Sequence, residues 1–159
     1  MTTVRTGLGY DSHRLVPGRR LIIGGIQIDH EAGLDGHSDA DVLTHAIIDA
    51  LLGAAALGDI GEHFPDTDER YRDADSIGLL RATMELLGER GFEVVNVDAT
   101  VVIEQPKLAP HREAIRASLA AAIGIELERV SVKATRGEGM GFVGRGEGAA
   151  ALAIASLTS

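Results

Sequence analysis

From Glu93 to Glu104 apolar residues recur at every second position, with Val95, Val97, Ala99, Val101 and Ile103 on one side and Asn96, Asp98 and Thr100 on the other. A period of two belongs to a strand with one buried face, and no helix can satisfy it. Upstream the period changes. Val42, Leu43, Ala46, Ile47, Ala50, Leu51 and Ala54 follow a helical spacing, so a helix is expected from an N-cap at Ser38 or Asp39 to about Leu57. A chain holding both periods must pack helix on sheet, the α/β (α+β) class.

The other elements follow from the same reasoning. Val4 to Asp11 and Leu21 to Ile28 read as strands separated by the turn residues Val16-Pro17-Gly18. The Gly24-Gly25 pair inside the second suggests a bulge or a close approach. Gly58-Asp59-Ile60-Gly61 ends the first helix, and Asp75-Ser76 caps a second that runs to about Gly88. Pro106 to Pro110 interrupt the chain before a third helix, Arg112 to Ile123, and Val130 to Thr135 is another strand. Gly137 to Gly148 holds six glycines in twelve residues and reads as a loop, and the tail from Ala149 to Leu157 reads as a strand. The expected order is β-β-α-α-β-α-β-β, one domain over residues 1–159 with a mixed sheet and no internal repeat.

Composition removes several function classes. There is no cysteine, which excludes disulfides, thiolate metal sites and a thiol nucleophile. A net charge of −9 argues against nucleic acid, whose binding is dominated by cationic contacts to phosphate. The charge is unevenly placed: thirteen acids and two arginines lie between Asp29 and Asp75. No apolar run approaches the ~18–20 residues of a membrane helix. Met1 to Arg5 contains no apolar signal core, so a soluble, cytoplasmic protein is expected.

The acidic block also carries the candidate chemistry. Asp11 and His13 leave the same face of an extended chain, and a converging carboxylate and imidazole suit zinc or a similar divalent ion. Asp41, His45 and Asp49 form one polar stripe on the first helix. His45 would complete an Asp-His-His set with an open fourth position, the pattern of catalytic zinc. His37 is expected at the N-terminus of that helix, where an anion is welcome. Glu138, beside the glycine loop, could hold magnesium on a diphosphate, and Lys107 after Gln105-Pro106 could steady a phosphate. His30, His63 and His111 are expected in surface or structural roles. Gly139 to Gly144 matches G-x-G-x-x-G, but fifteen residues after it leave no room for the helix and acidic strand of a dinucleotide fold. By residues alone, a metal-dependent phosphohydrolase and a ligand-binding module with a structural metal both remain open.

Several segments, in order, carry a resemblance. They are Gly9-Tyr10-Asp11-Ser12-His13, Gly36-His37-Ser38-Asp39-Ala40-Asp41-Val42, His45, Asp49 to Ala55, Gly58 to Gly61, Phe64-Pro65-Asp66-Thr67-Asp68, Gln105-Pro106-Lys107, Lys133-Ala134-Thr135 and Gly144-Arg145-Gly146-Glu147-Gly148. Over essentially its whole length the chain resembles the 2-C-methyl-D-erythritol 2,4-cyclodiphosphate synthases of the non-mevalonate isoprenoid pathway. The resemblance implies conversion of 4-diphosphocytidyl-2-C-methyl-D-erythritol 2-phosphate to the cyclic diphosphate and CMP. It implies a homotrimer with active sites between subunits, in a fold like trimeric chorismate mutase with helices on one face of the sheet. Asp11, His13 and His45 match zinc ligands, and Glu138 matches a residue holding a second cation, magnesium or manganese.

Substrate contacts are implied for Asp11, His13, His37, Ser38, Asp59, Ile60 and Gly61, and for the loop Phe64, Pro65, Asp66, Thr67 and Asp68. The cytidine-diphosphate pocket matches Ile103, Glu104, Gln105, Pro106, Lys107, Leu108 and Ala109, with Ala134 and Thr135. Arg136, Gly137, Glu138, Phe142 and Arg145 complete the implied substrate set. Catalytic roles fall to His37, Thr135 and Arg136. Arg145 and Glu147 match residues near the trimer axis, where some members hold an isoprenoid diphosphate. One departure stands out: Arg136 occupies a position that is usually threonine in the family, so either Arg136 supplies charge to the α-phosphate or it points away and leaves Thr135 and backbone N–H groups to serve.

Overall fold

The computed structural model describes residues 1–159. Its elements in chain order are β1 (Val4–Pro17), β2 (Leu21–Ile23), β3 (Ile26–Ile28), β4 (Ala32–Leu34), α1 (Val42–Ala54), α2 (Ile60–His63), α3 (Ser76–Glu89), β5 (Glu93–Val102), α4 (Arg112–Ile123), β6 (Val130–Thr135), α5 (Gly141–Gly144) and β7 (Gly148–Thr158). Short 3-10 turns occupy Glu69–Tyr71, Ala109–His111 and Leu127–Arg129.

Five strands form one mixed sheet in the order β4-β1-β7-β5-β6. β7 runs antiparallel to both β1 and β5, while β5 and β6 are parallel and joined through α4. The last strand of the chain thus sits at the centre of the sheet. α1 lies across β1 and β7 on one face, with eleven of its thirteen residues buried. That close seating has a local cause. A Cβ on Gly7 would collide with the Ala50 carbonyl, and one on Gly9 with the Ala46 carbonyl, so glycine in the strand lets the helix backbone rest on the sheet backbone.

The opposite face of β1 and β7 behaves differently. Leu8 pairs with Ile154 and Tyr10 with Leu152, and these four side chains are between 42% and 67% exposed. Two adjacent strands therefore present an apolar patch that no element of the chain covers.

Several expectations from sequence are corrected. Leu21 to Ile28 is a hairpin, β2 and β3, because Gly24 and Gly25 take φ of +59° and +77° and form a two-residue turn. The same pair also makes the close approach, since a Cβ at either would strike Ile115 or Ile77. α1 is capped by Asp41, not by Ser38 or Asp39, and ends at Ala54 before Leu57. β1 continues past Asp11 to Pro17 and pairs there with β4, a strand too short to read from sequence. The alternation in β5 is broken once: a bulge between Val94 and Asn96 buries Val94 and leaves Val95 39% exposed. The glycine-rich loop contains one helical turn, α5.

Candidate active site

The polar stripe on α1 meets β1 at its Asp11–His13 segment. Asp11 Oδ2 lies 2.9 Å from His13 Nε2 and 3.2 Å from His45 Nδ1. One ligand atom from each of the three residues falls within 4.8 Å of the others. In a tetrahedral zinc site with bonds of ~2.0–2.1 Å, ligand atoms sit ~3.3 Å apart, so this spacing suits the ion.

Hydrogen bonding supports the same fit. His13 Nδ1 donates to the Asp35 carbonyl at 2.8 Å, because a carbonyl can only accept. In the neutral ring its Nε2 then presents a lone pair toward Asp11, and this buried nitrogen finds no hydrogen-bond partner. An orphaned acceptor facing a carboxylate is satisfied by a cation. Burial works to raise the Asp11 carboxyl, but the two imidazoles outweigh it and hold the group below its ordinary value. Burial works to lower His13, yet Asp11 and the Asp35 carbonyl outweigh it and raise the imidazole above its usual range.

Asp11, His13 and His45 open on a cavity of about 340 Å³ whose other walls include His37, Ser38, Ile60, Gly61, Phe64 and Asp66. Eight residues expected there from sequence as substrate contacts are thereby brought together around the cluster. Asp59, Pro65, Thr67 and Asp68 do not line it. Asp59 instead caps α2 by accepting from Glu62 N–H, and Asp68 is engaged by Arg70. His37 does not stand at a helix N-terminus as expected, since α1 begins only after the Asp41 cap. Its Nε2 donates to the Asp68 carbonyl at 3.1 Å, which ties it to the 64–73 segment. Tyr71 and Leu79 also line this cavity and were missed; Tyr71 packs edge-on against Phe64 at 5.5 Å, a contact with no local sequence signal.

A second cavity of about 170 Å³ lies at the ends of β5 and β6. Ile103, Glu104, Pro106, Lys107, Leu108, Ala109, Ala134, Thr135 and Arg136 line it, while Gln105 does not, and Arg112 is an addition. Arg136 donates to Glu104 Oε1 at 3.0 Å, and Gly137 N–H donates to Glu104 Oε2 at 2.8 Å. Lys133 is bound to Asp98 at 2.9 Å and stays outside this cavity. Glu138 is exposed and belongs to neither cavity. Phe142 lines a third hollow with Ser12 and His13, and Arg145 donates to Glu147 at 3.0 Å.

A YgbB family profile matches residues 4–158. The chain belongs to the YgbB family. It is 59% identical over 154 residues to the 2-C-methyl-D-erythritol 2,4-cyclodiphosphate synthase of Alkaliphilus oremlandii, covering 97% of this chain and 98% of that one. The enzyme of the same name from Geobacter sulfurreducens is 60% identical over 151 residues, with 95% and 96% covered. A solved 2C-methyl-D-erythritol-2,4-cyclodiphosphate synthase in its CDP-bound form superposes with a TM-score of 0.89 at 38% identity, covering 96% and 99% of the two chains. The YgbB fold is therefore that of the whole chain. No helix in it is long and apolar enough to cross a membrane.

Proposed function

We propose that this YgbB chain converts 4-diphosphocytidyl-2-C-methyl-D-erythritol 2-phosphate to 2-C-methyl-D-erythritol 2,4-cyclodiphosphate and CMP. The observation that carries the reading is the convergence of Asp11, His13 and His45 lone pairs on one cavity with His37 and Ser38. Relatives of nearly equal length that bear the synthase name support the substrate assignment.

The reaction needs no nucleophile from the protein. An oxygen of the substrate's 2-phosphate attacks the β-phosphorus, the bond from that phosphorus to the bridging oxygen breaks, and CMP leaves with the oxygen. This is a phosphorus–oxygen lyase reaction. The protein must bend the substrate and hold two anions together, an ordering effect worth up to about 7–11 kcal/mol of the barrier. Asp11, His13 and His45 would hold zinc, and Glu138 with the substrate's phosphates would hold magnesium or manganese; bound there, these cations neutralise the charge that keeps two phosphates apart. His37 and Ser38 orient the phosphoryl oxygens, and Ile60, Gly61, Phe64 and Asp66 shape the erythritol end. The β5–β6 cavity takes the cytidine diphosphate, with Lys107 beside its phosphates and Thr135 as the hydroxyl donor. Arg136 is held by Glu104, whose carboxylate balances its charge, and its remaining N–H groups are the donors it offers to the α-phosphate.

We further propose a homotrimer with each site shared between subunits. Two features support it: the uncovered apolar face of β1 and β7, and the separation of the two cavities, which share no residue within one chain. Arg145 and Glu147 are the groups we assign to an axial isoprenoid diphosphate. Phosphorus NMR of the chain with substrate, zinc and magnesium should show CMP and two coupled cyclic diphosphate signals. Inorganic phosphate or a linear diphosphate as the product would overturn the reading in favour of hydrolysis.

A further inference from the structure

His45 faces two different groups with its two ring nitrogens. Nδ1 points into the cluster, 3.2 Å from Asp11 Oδ2, while Nε2 lies 2.8 Å from Ser76 Oγ at the start of α3. Ser76 is fully buried and reaches back to Asp39 in the loop before α1. Its hydroxyl donates to Asp39 Oδ1, and its backbone N–H donates to Asp39 Oδ2 at 2.9 Å. A carboxylate only accepts, so the one hydroxyl hydrogen of Ser76 is committed to Asp39. Toward His45, Ser76 has only lone pairs left. Nε2 must therefore carry a ring hydrogen. Asp11 Oδ2 also only accepts, so in the neutral imidazole the Nδ1 lone pair is satisfied in the cluster by a cation held between it and that carboxylate.

We propose that Asp39 and Ser76 are positioning residues that lock His45 in its Nε2–H tautomer and so present Nδ1 as a metal ligand. This rests on the metal reading of Asp11, His13 and His45 given above. The Ser38 hydroxyl also lies 3.2 Å from Nε2, but it accepts from Ala40 N–H and offers a longer branch of the same donation. The chain of contacts crosses two elements: Asp39 precedes α1, Ser76 opens α3, and His45 sits one turn into α1. Docking of α3 on α1 and orientation of the metal ligand are thus accomplished by the same groups. Outer partners of this kind carry about 10–100-fold of metal affinity.

The tautomer can be read in the metal-free protein by long-range ¹⁵N–¹H correlations of labelled histidine. Zinc affinity is measured separately by competition with a chelator, with His45→Ala as the reference for a lost ligand. In the native protein the hydrogen should be found on Nε2. Asp39→Asn lets the new amide donate to Ser76, which frees the hydroxyl hydrogen for Nε2 and should move His45 toward the Nδ1–H form. Ser76→Ala should leave a mixture of the two forms. Both variants should weaken zinc binding by about 10–100-fold. Ser38→Ala should keep the Nε2–H form. A native ring that carries hydrogen on Nδ1 and none on Nε2 would overturn the proposal. So would a lower melting midpoint in both variants with tautomer and zinc affinity unchanged, because that outcome makes Asp39 and Ser76 scaffold only. If native protein binds zinc no better than His45→Ala, the metal reading itself fails, and the tautomer data still decide what Asp39 and Ser76 do.

Discussion

At the scale of single residues, charge and volume at the Asp11 cluster make separate predictions. In metal-free protein the raised His13 contributes stability that is complete below its ordinary value of 6.5 and is lost as pH rises through its raised folded value. The lowered Asp11 contributes stability present above its ordinary value of 3.8 and lost as pH falls through its lowered folded value. The stability gap between native protein and His13→Ala, taken from urea midpoints in chelator, should therefore be widest between those two values and shrink on either side. A gap that does not change with pH would refute the pairing. Gly9 makes a steric prediction. Gly9→Ala should cost about 1–3 kcal/mol by urea unfolding, since the added methyl meets the Ala46 carbonyl and one of the two backbones must move.

At the scale of elements, the decisive contact is between the β2–β3 hairpin and α1. Asp41 is fully buried and accepts from Gly24 N–H at 2.9 Å, Gly25 N–H at 2.7 Å, and both Thr44 N–H and Thr44 Oγ1. Burial works to raise its carboxyl, as does the Asp39 charge, while the Thr44 and Gly24 donors oppose them; the balance is a raised value. The helix cap and the hairpin turn are thus one hydrogen-bonded unit. Asp41→Ala would strand the buried Gly24 and Thr44 N–H groups and the part-buried Gly25 N–H, and should cost roughly 2–4 kcal/mol. Amide exchange at Gly24 and Gly25 should accelerate more than exchange in β5. Equal acceleration everywhere would mean that Asp41 supports the global fold and not the hairpin in particular.

At the scale of the whole molecule, the proposed trimer would cover the apolar patch of Leu8, Tyr10, Leu152 and Ile154. Ile154→Arg places a charge in that patch and should convert a sedimenting trimer to monomer, with activity falling in parallel. A stable, active monomer would refute shared sites. Co-expression offers a complementary measurement with His45→Ala and Lys107→Ala, each of which should be inactive alone. Random assortment in a trimer pairs an intact metal half with an intact nucleotide half in roughly a quarter of sites, so activity should partly return. No recovery would place both halves of each site on one chain.

Much of this was legible along the chain. The 3.6 and 2.0 periods of α1 and β5 report burial of one face, and burial is what drives those elements to form. α4 and β6 have the bounds read from sequence for the same reason. The convergence of Asp11, His13 and His45 was legible as well, because Asp11 and His13 share a strand face and His45 interrupts an apolar helix. Spatial proximity was not legible. That β7 from the chain terminus separates β1 from β5, that Gly7 and Gly9 seat a helix, and that Ser76 stands between Asp39 and His45 are all contacts between segments distant in sequence. Local periodicity carries no record of such contacts; they exist only once the sheet has brought the segments together. The residue types in the site were set by sequence, and the hydrogen-bond direction that makes His45 Nδ1 an available lone pair was set by tertiary structure.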